Sequence, residues 1–191
     1  ESSLDVPGAI NAFSAAEITT AGIDRPQDFV ALTPNMSLVQ TQNQGTSFVT
    51  VRGISQARNS EPSVAVLIDG VQMANPSQFN QELFDIDTIQ VLKGPQGALY
   101  GRNAIGGAII INTKKPSDVF QGNVTLGADS GPGINVRGSM SGPISDTLKY
   151  IATGSYLDTK GYIKNAFLND NADPFRDVSG RLRFVWDPSK E

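Results

Sequence analysis

Leu92-Lys93-Gly94-Pro95-Gln96-Gly97-Ala98-Leu99-Tyr100-Gly101-Arg102-Asn103-Ala104-Ile105-Gly106-Gly107-Ala108-Ile109-Ile110-Ile111-Asn112-Thr113-Lys114-Lys115-Pro116 is the densest signal in the chain. Five glycines, Gly94, Gly97, Gly101, Gly106 and Gly107, fall within fourteen residues. A phosphate cradle needs G-x-G-x-x-G or G-x-x-x-x-G-K-[ST], and neither spacing occurs between Gly94 and Gly107. The glycines therefore read as structural, allowing tight turns and close approach of a strand to its neighbours. Gly53 and Gly70 are read in the same way. The stretch is bracketed by two strand patterns, Ile86 to Leu92 before it and Ala108 to Ile111 within it.

Upstream, Ser14-Ala15-Ala16-Glu17 is a capping-box pattern, and it predicts a short helix ending near Gly22. Asp24-Arg25-Pro26-Gln27 predicts a second, held to a few turns by Pro34. Phe48 to Val51 reads as a strand, and Val64 to Ile68 followed by Asp69-Gly70-Val71 reads as a strand entering a hairpin turn. The first part of the chain is thus a small α+β set.

After Pro116 the pattern becomes strict alternation, over lengths near those of a tilted membrane strand. Val124, Leu126 and Ala128 share a face against Asn123 and Thr125, and Ile134, Val136 and Met140 against Asn135, Arg137 and Ser139. Leu148, Tyr150, Ala152 and Tyr156 alternate with Lys149, Thr153 and Ser155; Val178, Leu182, Phe184 and Trp186 alternate with Ser179, Arg181 and Arg183. The connections are short at 129–133 and 143–146 and about twenty residues long at 158–177, as barrel turns and outer loops alternate. With 143–146 on the periplasmic side, Tyr150 and Trp186 fall at the periplasmic rim, where an aromatic girdle belongs. A soluble antiparallel sheet with one buried face gives the same alternation. Four strands cannot close a barrel, so the barrel reading expects a chain that continues beyond Glu191.

Composition narrows the chemistry. The 191 residues include no Cys and no His, so disulfides, Cys or His zinc sites and histidine-dependent triads are excluded. Nothing pairs Asp, Glu, Ser or Lys into a catalytic set, and neither a catalytic residue nor a metal or other cofactor is expected. Fifteen basic against nineteen acidic side chains give a net charge of −4, which argues against nucleic acid as a partner. Charged residues make up 18%, below the roughly 25% of an average soluble domain, while glycine and proline are plentiful. No apolar run approaches the ~20 residues of a spanning helix. The start at Glu1 carries no basic or apolar leader segment, so an export signal is expected to have been removed or not included.

The glycine-rich stretch resembles the plug-domain signature of TonB-dependent outer-membrane receptors, and the resemblance extends along the chain in family order. It takes in Val6-Pro7, Ala15 to Ile18, Leu32-Thr33-Pro34-Asn35, Val51-Arg52-Gly53-Ile54, Val66 to Gly70, the Gly94 to Gly107 block and Gly122 opening the first barrel strand. The resemblance implies an α+β plug over residues 1–116 and, over 117–191, the first four antiparallel strands of a transmembrane β-barrel left incomplete in this chain. It implies residence in the bacterial outer membrane, with outer-membrane lipid as a partner of the barrel and the plug lodged inside a barrel of about 22 strands. The function implied is active import powered by the TonB energy-transducing complex, with no enzymatic step. The family's N-terminal TonB box is not found before Val6, which points to truncation. Ferric siderophores are the default ligand; haem, cobalamin and carbohydrate are the family's other cargoes.

The resemblance also assigns residues. Arg52 and Lys93 match positions where the plug offers cations to barrel carboxylates, with Arg102 as a third, and lysine at the second position weakens bidentate pairing. Loops 55–63 and 72–81 correspond to plug loops that face the ligand, carrying Gln56, Arg58, Asn59, Met73, Asn75 and Phe79. On this reading Arg58→Ala weakens ligand binding and leaves the closed pore intact. The competing reading is a freestanding plug-like module that binds ligand or protein without transport. Asn169 to Asp173 reads as an outer loop, since Pro174 stands where a calcium loop needs glycine.

Overall fold

The structure is a computed structural model that describes residues 9–40, 47–56, 60–75, 79–129 and 133–188. Arg58 and Asn59 from the ligand-facing loops and Val6-Pro7 from the family signature lie outside the described residues. The chain divides into two compact units, Glu1–Lys114 and Lys115–Glu191.

The first unit is built on strands β1 (Ala9–Ser14), β4 (Val64–Ile68), β5 (Val71–Gln72), β6 (Ile86–Lys93) and β7 (Gly107–Thr113). They form a sheet in the order β1-β6-β7-β4-β5, with β4 and β7 parallel and the other pairs antiparallel. β2 (Met36–Gln40) and β3 (Ser47–Val51) make a separate antiparallel pair. The run Ala108 to Ile111 reads as continuously apolar because β7 is central and covered on both faces. On one face Ile109 and Ile111 pack with Ile89 and Val91 of β6, Val64 and Val66 of β4, and Phe29. On the other, Ala108 meets Ala65 and Ala104, with Leu67, Leu92 and Tyr100 around them.

Helix α1 (Ala15–Ala21) begins as the capping box dictates: the Glu17 amide donates to Ser14 Oγ, and the Ser14 amide and hydroxyl donate to Glu17 Oε2. It ends on left-handed Gly22. Helix α2 (Pro26–Ala31) starts with proline at its first position, and the Asp28 carboxylate accepts from the Asp24 and Arg25 amides. These caps orient α2 so that Phe29 is buried, its ring 6.4 Å from Phe13 and 6.2 Å from Phe79.

The Asp69-Gly70 turn does more than reverse the chain. Both residues have positive φ, and the Asp69 carboxylate accepts from the Thr113 amide at 2.9 Å and the Thr113 hydroxyl at 2.7 Å. The β4–β5 hairpin is thereby fastened to the end of β7. Asp69→Ala is expected to cost about 1–2 kcal/mol, seen as a lower urea midpoint, with Asp69→Asn losing less.

Among the described residues of the first unit, β1, β2 and the short helix α3 (Gly97–Tyr100) escape the sequence patterns. In β2 Met36 and Leu38 pack against the core and Ser37 and Val39 are exposed, but the outward Val39 hides this alternation in the sequence.

The second unit is an antiparallel sheet of β8 (Gln121–Asp129), β9 (Gly133–Pro143), β10 (Leu148–Thr159) and β13 (Phe175–Trp186), in the order β13-β10-β9-β8. Exposure follows the predicted alternation. Val124, Leu126, Ile134, Val178, Leu182, Phe184 and Trp186 stand exposed on one side, while Thr153 and Ser155 are buried on the other. A soluble sheet buries its apolar face; this one presents it. The long connection is shorter than predicted, because the ladder runs on to Asp158↔Arg176 and Thr159↔Phe175, leaving 160–174. Within it, β11 (Lys164–Asn165) pairs with β12 (Asp170–Asn171).

Candidate functional site: a buried lysine beside an exposed arginine, and a cleft on the plug

Two features of the first unit carry chemistry. The first lies at the end of β6. Side chains of Ile89, Val91 and Lys93 point to the same face by strand alternation, so Lys93 extends the line of the main core. Only 7% of it is exposed. Arg52 approaches from a turn in which Val51 and Ile54 exchange backbone hydrogen bonds and the Arg52 amide donates to the Asn35 carbonyl. Arg52 has φ 50°, which lifts its side chain out of the β3 line. Gly94 leaves room for it: a Cβ there would stand 3.3 Å from Arg52 Nη1.

The result is a buried ammonium beside a guanidinium. Burial, and then the nearby Arg52 charge, push the Lys93 pKa below its ordinary 10.5. Among the described residues no ion pair joins Arg52 or Lys93 to a carboxylate. The structure thus brings together two of the three cations assigned to a plug–barrel lock. Arg102 is exposed and does not figure among the charges acting on Lys93; its carbonyl accepts from Gln72 Nε2.

The second feature is a narrow cleft where β3 meets β4, lined by Ser47, Val49, Ser63, Val66, Met73 and Phe79, with Gln56, Asn75 and Asn103 contributing polar edges. Its cavity volume is about 30 Å³. Ser47 Oγ and Ser63 Oγ are buried there without hydrogen-bond partners among the described residues, a polar floor suited to bound water. Gln56 Nε2 donates to the Ser60 carbonyl and Asn103 Nδ2 to Glu61 Oε2, which ties Glu61 to the glycine-rich loop. Asn75 is exposed and Met73 half-buried, its amide donating to the Val66 carbonyl.

Phe79 corrects the sequence expectation. Its position in a polar loop suggested a stacking contact for ligand, yet it is only 4% exposed and meets Phe29 edge-on, as a core residue that closes one wall of the cleft. Ser47, Ser63 and Asn103 were not singled out by sequence, since lone serines and an asparagine carry no spacing signal.

The assigned turn glycines separate into distinct roles. Gly53, Gly70, Gly94 and Gly101 have positive φ, and a Cβ at Gly106 would press on the Ser63 carbonyl at 3.3 Å. Gly107 lies where β7 runs closest to the β6 backbone, at Leu92. Gly97 is a correction: it opens α3 with ordinary φ, and a Cβ there would meet nothing within 4 Å.

Comparison with known proteins places these features. The profile described as TonB-dependent Receptor Plug Domain matches residues 2–108. Pesticin receptors of Yersinia enterocolitica and Yersinia pestis are 33% identical over 138 residues, covering 72% of this chain and 20% of theirs. The chain therefore spans about a fifth of the length of these curated relatives. Among solved structures, the ferric yersiniabactin uptake receptor FyuA of Yersinia pestis matches with a TM-score of 0.83 and 27% identity, over 96% of this chain and 29% of that one. The ferripyoverdine receptor of the outer membrane of Pseudomonas aeruginosa shares the fold at a TM-score of 0.70 and 23% identity, over 84% of this chain and 21% of that one. With the profile matching over more than half its length and the wall strands following in order, the chain belongs to the TonB-dependent receptor plug-domain family, proteins of the bacterial outer membrane.

Proposed function

We propose that the whole protein imports a ferric siderophore across the outer membrane, with energy delivered by the TonB complex through a segment N-terminal to the plug. The observation that carries this reading is the likeness to the ferric yersiniabactin uptake receptor along 96% of the chain. In this reading the plug closes the barrel at rest. The Arg52–Lys93 pair fastens it to carboxylates of the barrel wall, because two cations held together at the edge of a core call for compensating charge. The polar edge of the cleft, Gln56, Asn75 and Asn103, contributes ligand contacts. No step of this cycle needs a catalytic residue or a cofactor, and the exposed apolar face of the second unit supports a membrane wall over a freestanding soluble module.

The test is uptake of radioiron presented on purified siderophores by a strain lacking the gene, with the full-length gene restored, in backgrounds with and without a functional TonB complex. Uptake that depends on both supports the proposal; equal uptake with and without the gene overturns it. Gln56→Ala combined with Asn75→Ala should weaken binding of the identified siderophore about tenfold, the loss of one or two hydrogen bonds at about 1 kcal/mol each, without opening the pore. Equilibrium binding to the purified full-length receptor checks this.

A further inference from the structure

The outward face of the wall changes character between two adjacent rows. Leu126, Val136, Tyr156 and Val178 stand side by side across β8, β9, β10 and β13, and the next row toward the 160–174 loop is Ala128, Ile134, Asp158 and Arg176. The opposite end of the sheet carries Leu148, Tyr150, Phe184 and Trp186. From Leu148 to Asp158 the strand advances ten residues, about 33 Å at ~3.3 Å each, which at a barrel tilt of ~40° crosses an apolar band of ~25 Å. The Asp158–Arg176 row thus begins where hydrocarbon ends, on the side of the long loop, which in outer-membrane barrels is the outer leaflet.

The side chains there are organised. Asp158 Oδ2 accepts from the Tyr156 hydroxyl at 2.9 Å and from Arg176 Nε at 3.0 Å, and forms an ion pair with Arg176 Nη2 at 2.8 Å. This holds the guanidinium by two of its nitrogens, with the Arg176 side chain 68% exposed. Lys160, the next outward position on the same strand line, is exposed and within electrostatic reach of Asp158. Two cations therefore face one carboxylate. The loop carboxylate of Asp173 is turned to its own backbone, accepting from the amides of Tyr162 and Ile163, which hold its pKa below the usual carboxylate range.

A guanidinium on a lipid-facing surface is stable where it meets headgroups rather than tails, and a fixed guanidinium edge suits phosphate oxygens. We propose that Arg176, Lys160 and Tyr156 form a docking site on the outer rim for the phosphate-bearing headgroup of an outer-leaflet lipid. The proposal rests on the outer-membrane placement of the wall, and it is independent of which cargo the receptor imports.

The test uses the full-length receptor in detergent micelles, with diphosphorylated lipid A as the probe and native mass spectrometry to count bound molecules. Heat-modifiable migration on gels verifies folding of each variant. Arg176→Gln and Lys160→Gln should each reduce lipid A binding about fivefold, and together about 25-fold, on the basis of a headgroup attraction near 1 kcal/mol per cation. Arg181→Gln, on the opposite face of β13, should leave binding unchanged. Inorganic phosphate at the same concentration should not displace lipid A, and diacylglycerol, which carries no phosphate, should bind wild type and variants alike. Undiminished lipid A binding in the folded Lys160→Gln and Arg176→Gln variants, or displacement by inorganic phosphate, would overturn the proposal. If Arg176→Gln does not fold, Lys160→Gln decides alone.

Discussion

Gly107→Ala should destabilise the plug by about 3–4 kcal/mol, because the added Cβ has nowhere to go. It would fall inside contact distance of the Leu92 carbonyl oxygen, an atom of the neighbouring backbone that no rotamer change can move. Relief requires β6 and β7 to separate where Gly107 stands opposite Lys93 and beside Val64. That separation also strains the backbone bonds from the Gly94 amide to the Gly106 carbonyl and from the Gly106 amide to the Ser63 carbonyl. Hydrogen exchange across 86–93 and 107–113 measures the effect directly. Gly97→Ala is the matched control: it sits in α3 with open space around it, and it should be neutral or stabilise by about 0.5–1 kcal/mol. Equal protection in Gly107→Ala and wild type would show that the close approach of these strands is not required by the fold.

The contrast between these two glycines shows where sequence reading ends. Glycine density in 94–107 marks a place where backbones turn or touch, and several of its members do so. Which glycine carries the constraint depends on strand register, and register is fixed by partners distant in the chain, as β7 lies between β6 and β4. Local signals were legible where local physics is sufficient. The Ser14–Glu17 box and Pro26 set helix starts, and the Asp69-Gly70 turn sets a hairpin. The wall strands were legible because lipid on one side and polar surroundings on the other impose a period of two along the whole strand. β1 and β2 gave no comparable signal; β1 is ordered by pairing along β6, and β2 by pairing with β3.

The site follows the same division. Arg52 and Lys93 were assigned together by family resemblance, though they lie far apart in sequence, and the structure makes them neighbours over Gly94. Loop composition says nothing about which side chain turns inward, and Phe79 is the one that does. Its burial follows from the Phe13–Phe29–Phe79 cluster, whose members come from three separate segments.

Lys93→Met should change stability in opposite directions in the 191-residue chain and in the full-length receptor. In the chain described here Lys93 is buried beside Arg52 with no carboxylate paired to it among the described residues, so an apolar side chain of similar length removes a desolvated charge. A gain of about 1–3 kcal/mol is expected. The gain should depend on pH with a definite sign. Because the folded pKa lies below the unfolded 10.5, the unfolded chain binds more protons between the two values, and wild-type stability rises with pH through that window. The advantage of Lys93→Met should therefore be full below the folded pKa and shrink as pH approaches 10.5. In the full-length receptor the proposed wall carboxylate meets this ammonium, and the same substitution leaves that carboxylate buried and unpaired, a loss of about 3 kcal/mol. Urea midpoints of both proteins, with permeation of a large antibiotic through the full-length variant, give the comparison. Stabilisation in both, with an impermeable pore, would mean that no wall carboxylate pairs with Lys93 and that Arg52 alone must supply the fastening charge.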